Sequence, residues 1–379
     1  MQSIYSGLGS IHRVKEFLKN VNSKKILLVT GRKSYSSSGA KEFFDKCLDG
    51  LNVTHFYDFE INPKLEDAKK GAILAKDNNV EVIISIGGGS VLDISKLIKA
   101  FINDPTKAED YAKGNKKIID SKIPIIAIPT TAGSGSESTH FAVVYIDGTK
   151  FSVASECLLP EFVVLDGELI TSASKYQKAN NILDAVAQSI ESSWSISSTK
   201  ESSVISFRAL EISFNNYKDF YSNNDKESAQ MMLKASNLAG QAINITKTTA
   251  PHAWSYAISM HLDLPHGHAI WATLPKVFRL HCENKIRKNT NTLNQDKLNN
   301  TMRDIKEVLG IKDNNEINSF FKKFLLSLDI KASLKDDLKV SYGERKELSK
   351  KVNQQRMSNN PIKFTQNDIN YIFQLENFD

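Results

Sequence analysis

The chain has 379 residues, of which 41% are hydrophobic and 24% charged, and its 49 Lys and Arg against 43 Asp and Glu give a net charge of +6. That length exceeds what one hydrophobic core usually fills, so two domains or one large α/β unit are expected. No run of about 18 apolar residues is present and residues 1–10 do not read as a signal peptide, which excludes a membrane-spanning helix and points to a cytoplasmic protein with no membrane partner.

In chain order, residues 24–30 (KKILLVT), 82–86 (VIISI) and 123–128 (IPIIAI) are near-continuous β-branched runs, each followed by Gly, Ser or Thr and then a helical pattern. Such runs suit strands buried on both faces, hence a parallel sheet covered by helices. FAVVYI, Asp147-Gly148 and TKFSVAS then read as a tight hairpin. From about Leu169 the strand pattern ends. Leu183, Val186, Ala187, Ile190 and Trp194 form one helical stripe, residues 228–245 form another, and the tail from Glu283 reads as surface helices. The expected architecture is an α/β dinucleotide-binding domain over residues 1–166 and an all-helical metal- and substrate-binding domain over 167–379, with the active site in the cleft between them.

Cys47, Cys157 and Cys282 are odd in number and widely spaced, which excludes a disulfide framework or a CxxC motif. The densest basic groups, Lys113 to Lys117 and Lys346 to Lys351, lack interleaved aromatics, so no nucleic-acid partner is expected.

Two glycine loops carry chemistry. Gly87-Gly88-Gly89-Ser90 follows a buried strand and opens a helix, with Asp93 and Lys96 at helical spacing behind it. Glycines there admit close backbone approach, and the helix N-terminus suits a pyrophosphate. After the next buried strand, Pro129 to Glu137 gathers the hydroxyls of Thr130, Thr131, Ser134 and Ser136 around Gly133 and Gly135. Two such loops at adjacent strand ends would form a nucleotide crevice.

These motifs resemble the iron-containing (group III) alcohol dehydrogenase family, over about residues 24–280 and again at Asn359-Asn360-Pro361. The resemblance implies a Rossmann-like parallel-sheet domain followed by a helical metal-binding domain, a homodimer, and ligands at Asp184, Gln188, His252 and His266. Asp184 and Gln188 stand at i, i+4 on one helix face. The family has His where Gln188 stands. The set supplies two oxygens and two nitrogens, fit for Fe²⁺ or Zn²⁺. Many members carry a further proton-relay His where this chain has Tyr256, so Tyr256 and His268 are the expected catalytic side chains, with His268 also able to hold an anionic substrate. His140 is a weaker site candidate, and His12, His55, His261 and His281 read as structural.

NAD-preferring members have an acidic residue after the first strand. Here Gly31 stands in that place, followed by Arg32, Lys33 and Ser34, so NADP(H) is favoured over NAD(H). The reaction implied is hydride transfer between a nicotinamide and a primary alcohol or aldehyde. Within the family the similarity is greatest to phosphonoacetaldehyde reductases, which implies a small anionic aldehyde held by His268, Lys276, Arg279 or Arg356. The alternatives are a general short-chain alcohol or diol dehydrogenase, a dehydroquinate-synthase-type lyase, and a non-catalytic homologue.

Overall fold

The computed structural model describes residues 2–21, 23–283 and 295–375, so part of the expected tail after Glu283 lies outside the described residues. Two compact units are present: Met1–Ala173 with Asn224–Gly240, and Ser174–Asn223 with Gln241–Asp379.

The first unit is built on strands β1 (Ser3–Ser6), β2 (Lys25–Thr30), β3 (Asn52–Phe56), β4 (Val82–Gly87), β5 (Ile125–Pro129) and β8 (Phe162–Leu165), in the order β1-β8-β5-β4-β2-β3 with every pairing parallel. The three runs read from sequence are the adjacent central strands β5, β4 and β2, whose Ile26, Val29, Val82, Ile84 and Ile86 are fully buried. The outer strands escaped that reading because they bury little. SIYS of β1 is exposed throughout, and NVTHF of β3 buries only Phe56 among its five residues. The chain leaves β2 to form β3 on one side and returns to form β4 on the other, so the strand order reverses between β2 and β4. In parallel sheets that reversal is where a ligand crevice opens. β6 (Phe141–Ile146) and β7 (Thr149–Ala154) pair antiparallel around Asp147 and Gly148, both at positive φ as a two-residue hairpin turn requires.

Helix α1 (Gly89–Phe101) follows β4 directly. The second unit is helical, built from α2 (Lys175–Trp194), α3 (Lys200–Asn223), the end of α4 (Lys226–Thr246), α5 (Ala250–Leu262), α6 (His266–Trp271), α7 (Leu274–Glu283), α8 (Ile317–Ser327) and α9 (Gln366–Phe373). None of the described helices is long and apolar enough to cross a membrane.

The division departs from a single cut after Asp166. Residues of α4 up to Gly240 belong to the first unit because their backbone packs against the second glycine loop. Gly135 has φ +58°, and a Cβ on it would lie 2.6 Å from Gly240 Cα and from the Ser236 carbonyl. Gln230 bridges Gly167 N–H at 2.7 Å and the Leu165 carbonyl at 3.0 Å. An amphipathic repeat such as that of α4 records that one face is buried, and does not record against which unit.

His281, on α7, is 1% exposed and stands edge-on to Trp194 with ring centroids 4.4 Å apart. Burial pushes its pKa down from 6.5 to about 3, so it folds neutral. The unfolded chain takes up the proton first as pH falls, so stability is complete above pH 6.5 and declines below it, by up to about 1.4 kcal/mol per pH unit. Thermal melts of the wild type and His281→Gln between pH 7.5 and 5 should show a shallower acid decline in the variant.

Candidate functional site

Helix α2 starts at Ser174, whose side chain accepts the Gln177 N–H, and its periodicity puts Asp184, Gln188 and Glu191 on neighbouring turns. Asp184, His252 near the start of α5 and His266 at the start of α6 each offer a ligand atom, and these atoms lie within 4.8 Å of one another. Gly267 permits this convergence. A Cβ there would fall 2.1 Å from the Asn180 carbonyl, so only glycine lets α6 abut α2. Asn180 Oδ1 accepts the His268 N–H at 3.0 Å and Trp271 Nε1 donates to the Leu183 carbonyl at 2.8 Å, which fixes the two helices against each other.

Glu191, not singled out from sequence, completes the cluster. It is fully buried; one oxygen accepts His252 Nδ1–H at 2.5 Å and the other accepts the Thr249 N–H at 2.6 Å and hydroxyl at 2.8 Å. This leaves His252 Nε2 facing Asp184 Oδ1 at 3.5 Å. Such a carboxylate–histidine pair sets the tautomer and raises the basicity of a metal-ligating nitrogen. The available signal was spacing, since Glu191 lies seven residues after Asp184 on the same helix. Burial works to lower the His252 pKa, but the charges and hydrogen bonds of Glu191 and Asp184 prevail and raise it to about 10. Burial likewise works to raise the Asp184 pKa, and the two histidines with the Gln188 amide hold it below the ordinary carboxylate value.

Gln188 joins the cluster at 3% exposure, but through its nitrogen, which donates to Asp184 Oδ1 at 3.0 Å. An amide nitrogen does not ligate a metal, so in this orientation Gln188 steers Asp184, and ligation through its oxygen requires the amide to turn over. One carboxylate oxygen and two imidazole nitrogens, buried and convergent, would suit Fe²⁺ or Zn²⁺.

A cavity of about 290 Å³ opens on Asp184 and His266, walled by Tyr176, Gln177 and Asn181. Asn181 Nδ2 is buried and has no hydrogen-bond partner among the described residues. Tyr256 stacks on the ligand His266, with centroids 5.6 Å apart and planes 2° from parallel. His268 is placed differently from expectation. It does not line this cavity; Nε2–H donates to the Lys331 carbonyl at 2.8 Å and Nδ1 meets the Tyr176 hydroxyl at 3.2 Å. Burial lowers its pKa, so the ring is neutral and cannot act as a cation for an anionic substrate. Tyr176, also unmarked in the sequence, is the member of this pair that reaches the cavity. Lys276, Arg279 and Arg356 are absent from the walls; Arg279 pairs with Glu283 at 2.7 Å. The remaining histidines stand apart from the cluster: His55 bonds Thr30, His261 bonds Glu344, His12 packs on Phe43, and His140 Nδ1 lies 3.8 Å from Glu156.

In the first unit, Gly31 ends β2 and its N–H donates to the Ile86 carbonyl at 3.4 Å, across the strand-order reversal. A Cβ at Gly31 would fall 2.4 Å from Ser34 Oγ. The glycines after β4 answer to close packing, since a Cβ at Gly87 would lie 2.3 Å from Val91 Cγ2, at Gly88 3.2 Å from Thr131 Cγ2, and at Gly89 2.9 Å from Ser134 Oγ. Thr130 N–H donates to the Gly87 carbonyl at 3.0 Å, so the two loops form one surface around the first turn of α1, where Ser90 Oγ accepts the Asn62 N–H. The first N–H groups of α1 have no intrahelical acceptor and suit an anionic phosphate.

Asp93 and Lys96 are committed elsewhere. Asp93 accepts Ser136 Oγ–H at 2.6 Å and the Val143 N–H at 3.0 Å. Lys96 is fully buried and donates to the Ser136 carbonyl and hydroxyl, the Thr139 hydroxyl and the Phe141 carbonyl. They fasten the second loop to α1. Arg32 pairs with Asp58 at 2.5 Å, and Lys70 reaches the same carboxylate at 3.3 Å, so the turn after β2 is balanced by an acid the sequence reading did not connect to it.

A parallel nucleotide-type sheet followed by a helical unit with an Asp-His-His cluster defines a metal-dependent dehydrogenase architecture. Residues 2–167 match the model of the iron-containing alcohol dehydrogenases, and residues 178–376 match that of the C-terminal region of the same family. The chain belongs to the iron-containing alcohol dehydrogenase family and is an NAD(P)-dependent alcohol and aldehyde oxidoreductase. It is 29% identical to the long-chain primary alcohol dehydrogenase AdhA of Thermoanaerobacter ethanolicus, over 73% of this chain and 71% of that one. It is 31% identical to the phosphonoacetaldehyde reductase of Streptomyces viridochromogenes, over 52% and 53%. The sulfoacetaldehyde reductase of Bifidobacterium kashiwanohense, solved in complex with NAD⁺, superposes with a TM-score of 0.88 at 25% identity, covering 100% of this chain and 98% of that one.

Glu191→Gln should lower metal affinity about 10- to 100-fold in competition with a chelator, while the circular dichroism spectrum is unchanged. Because a cation displaces the proton on His252, apparent affinity in the wild type should rise about tenfold per pH unit between pH 6 and 8.

Proposed function

We propose that this protein reduces a short aldehyde bearing an anionic head group, with phosphonoacetaldehyde to 2-hydroxyethylphosphonate as the leading reaction, and that NADPH is its preferred reductant. The observation that carries the reading is the cavity at the Asp184–His266 edge of the cluster, whose lining includes the Tyr176 hydroxyl and the amides of Gln177, Asn180 and Asn181, with Asn181 Nδ2 unsatisfied among the described residues. Such donors suit phosphonate oxygens and suit a long alkyl chain poorly. The similarity to reductases of phosphonoacetaldehyde and sulfoacetaldehyde supports it.

Asp184, His252 and His266 would hold a divalent metal, with Gln188 as the proposed fourth donor. When bound, the metal supplies a Lewis acid for the substrate oxygen. A bound NADPH would supply the hydride and solvent the proton, so aldehyde, NADPH and a proton would give alcohol and NADP⁺. Tyr256, stacked on His266, is the side chain proposed to pass a proton from solvent, and His268 Nδ1 would orient the Tyr176 hydroxyl at the cavity wall. Gly31, Ser34, Gly87 to Ser90, Thr130, Thr131 and Ser134 form the proposed cofactor surface, and Arg32 would exchange Asp58 for the 2′-phosphate.

The second reading, a general alcohol dehydrogenase, is favoured by the lack of a cation on the described cavity wall. Initial rates with phosphonoacetaldehyde, propanal and butanal separate the two. The proposal expects kcat/KM for the phosphonate at least about tenfold higher, and equal efficiencies would reject it. Asn181→Ala should raise KM for the phosphonate about tenfold and leave the neutral aldehydes nearly unchanged, whereas Asp184→Ala should lower turnover of all of them by more than about a hundredfold. Asp58→Asn should raise the NADPH-to-NADH efficiency ratio several-fold, and Arg32→Ala should reduce it.

A further inference from the structure

The helical unit contains a second cavity, of about 690 Å³, with Trp271, Phe321, Leu325 and Ile330 on its apolar side. Lys276, from the first turn of α7, lines it too. Among the described residues Lys276 Nζ makes no hydrogen bond and no ion pair. Asp336, whose charge acts on it, is already engaged by the Ser333 hydroxyl at 2.9 Å and the Gln374 amide at 3.1 Å, and Arg345 adds like charge nearby. Burial holds the amine down to about 8. The lining also includes Lys322, Lys331 and Lys335 against Asp336 and Asp337, so cations outnumber anions there.

We propose that this cavity binds a small amphipathic carboxylate, its chain against Trp271 and Phe321 and its head group on Lys276. Asp336 acts on this ammonium only from a distance, and a bound carboxylate supplies a directly hydrogen-bonded anion. The volume is that of a small-molecule site, ample for an aliphatic chain of about eight carbons. A neutral alcohol of equal length would fill the same apolar wall and leave Lys276 unpaired. A short anion such as acetate would pair with Lys276 and leave the wall empty. Head and chain together give the recognition, and neither alone does.

Isothermal titration of the metal-loaded protein with octanoate, 1-octanol and acetate tests this, using the wild type, Lys276→Met and Lys276→Arg. The expected result is one octanoate per chain, at least about tenfold tighter than octanol or acetate, with the preference over octanol lost in Lys276→Met and retained in Lys276→Arg. Octanoate bound equally by wild type and Lys276→Met would place it elsewhere, on the metal included, and overturn the proposal. No saturable binding at millimolar octanoate, or equal affinity for octanoate and octanol, would overturn it as well. Loss of binding in Lys276→Arg and Lys276→Met alike would deny the charge its role.

Discussion

The 2.5 Å hydrogen bond between the His252 ring and the fully buried Glu191 is the constraint on which the helical unit turns. An isolated carboxylate is not tolerated at such a depth, and removing one partner of a buried charged pair typically costs about 3–5 kcal/mol. Glu191 therefore needs donors from outside its own helix, and it takes them from His252 and from the backbone and hydroxyl of Thr249. Those three donors fix the start of α5 against α2. Trp194 reinforces the junction by donating to the Thr249 hydroxyl at 2.8 Å, and Asn359 pins the preceding turn by donating to the carbonyls of Thr246 and Thr248. The Asn359-Asn360-Pro361 segment thus acts on the cluster from a distance, by holding the strand of chain that delivers His252.

The first unit solves a different problem, the packing of two irregular loops in a space too tight for side chains. Gly87 is required by the Val91 side chain opposite it and Gly135 by the backbone of Gly240, while Gly88 and Gly89 lie tight against the side chains of Thr131 and Ser134. A loop packed so closely has buried carbonyls and hydroxyls that need donors, and Lys96 supplies them from within α1. The Lys96 amine is held down to about 8 by burial, in part balanced by the nearby Asp93 and Glu137. The glycine motif and the lysine nine residues after its first glycine form one structural device: the glycines bring the loops together and the lysine satisfies them.

How much of this was legible in the sequence depended on whether a residue's role was local. The central strands, the Asp147-Gly148 hairpin and the stripe of α2 were readable because each follows from its own neighbours in the chain. Asp184, His252 and His266 were found through a family pattern, and they do converge. Glu191 was marked only by its spacing from Asp184, and Tyr176 and Asp58 not at all, because their importance is set by partners 61, 92 and 26 residues away. The loop contacts of Asp93 and Lys96 were hidden for the complementary reason. Their helical spacing behind the glycine turn correctly put them on one face of α1, but that face is turned toward the loop they fasten.

The surplus of positive charge is likewise distributed by neighbours that spacing does not reveal. Arg32, the cation best positioned by sequence to meet a cofactor phosphate, shares Asp58 with Lys70, so its charge is available only by exchange. Both groups of that pair are largely exposed, so solvent screening leaves the pair weak. A phosphate dianion offering two oxygens to the guanidinium would outcompete so weak a bond, whereas a ribose hydroxyl would donate to Asp58 with the pair intact. The Arg32–Asp58 pair is therefore compatible with either cofactor, and the discrimination between them rests on the difference between two small energies on one turn.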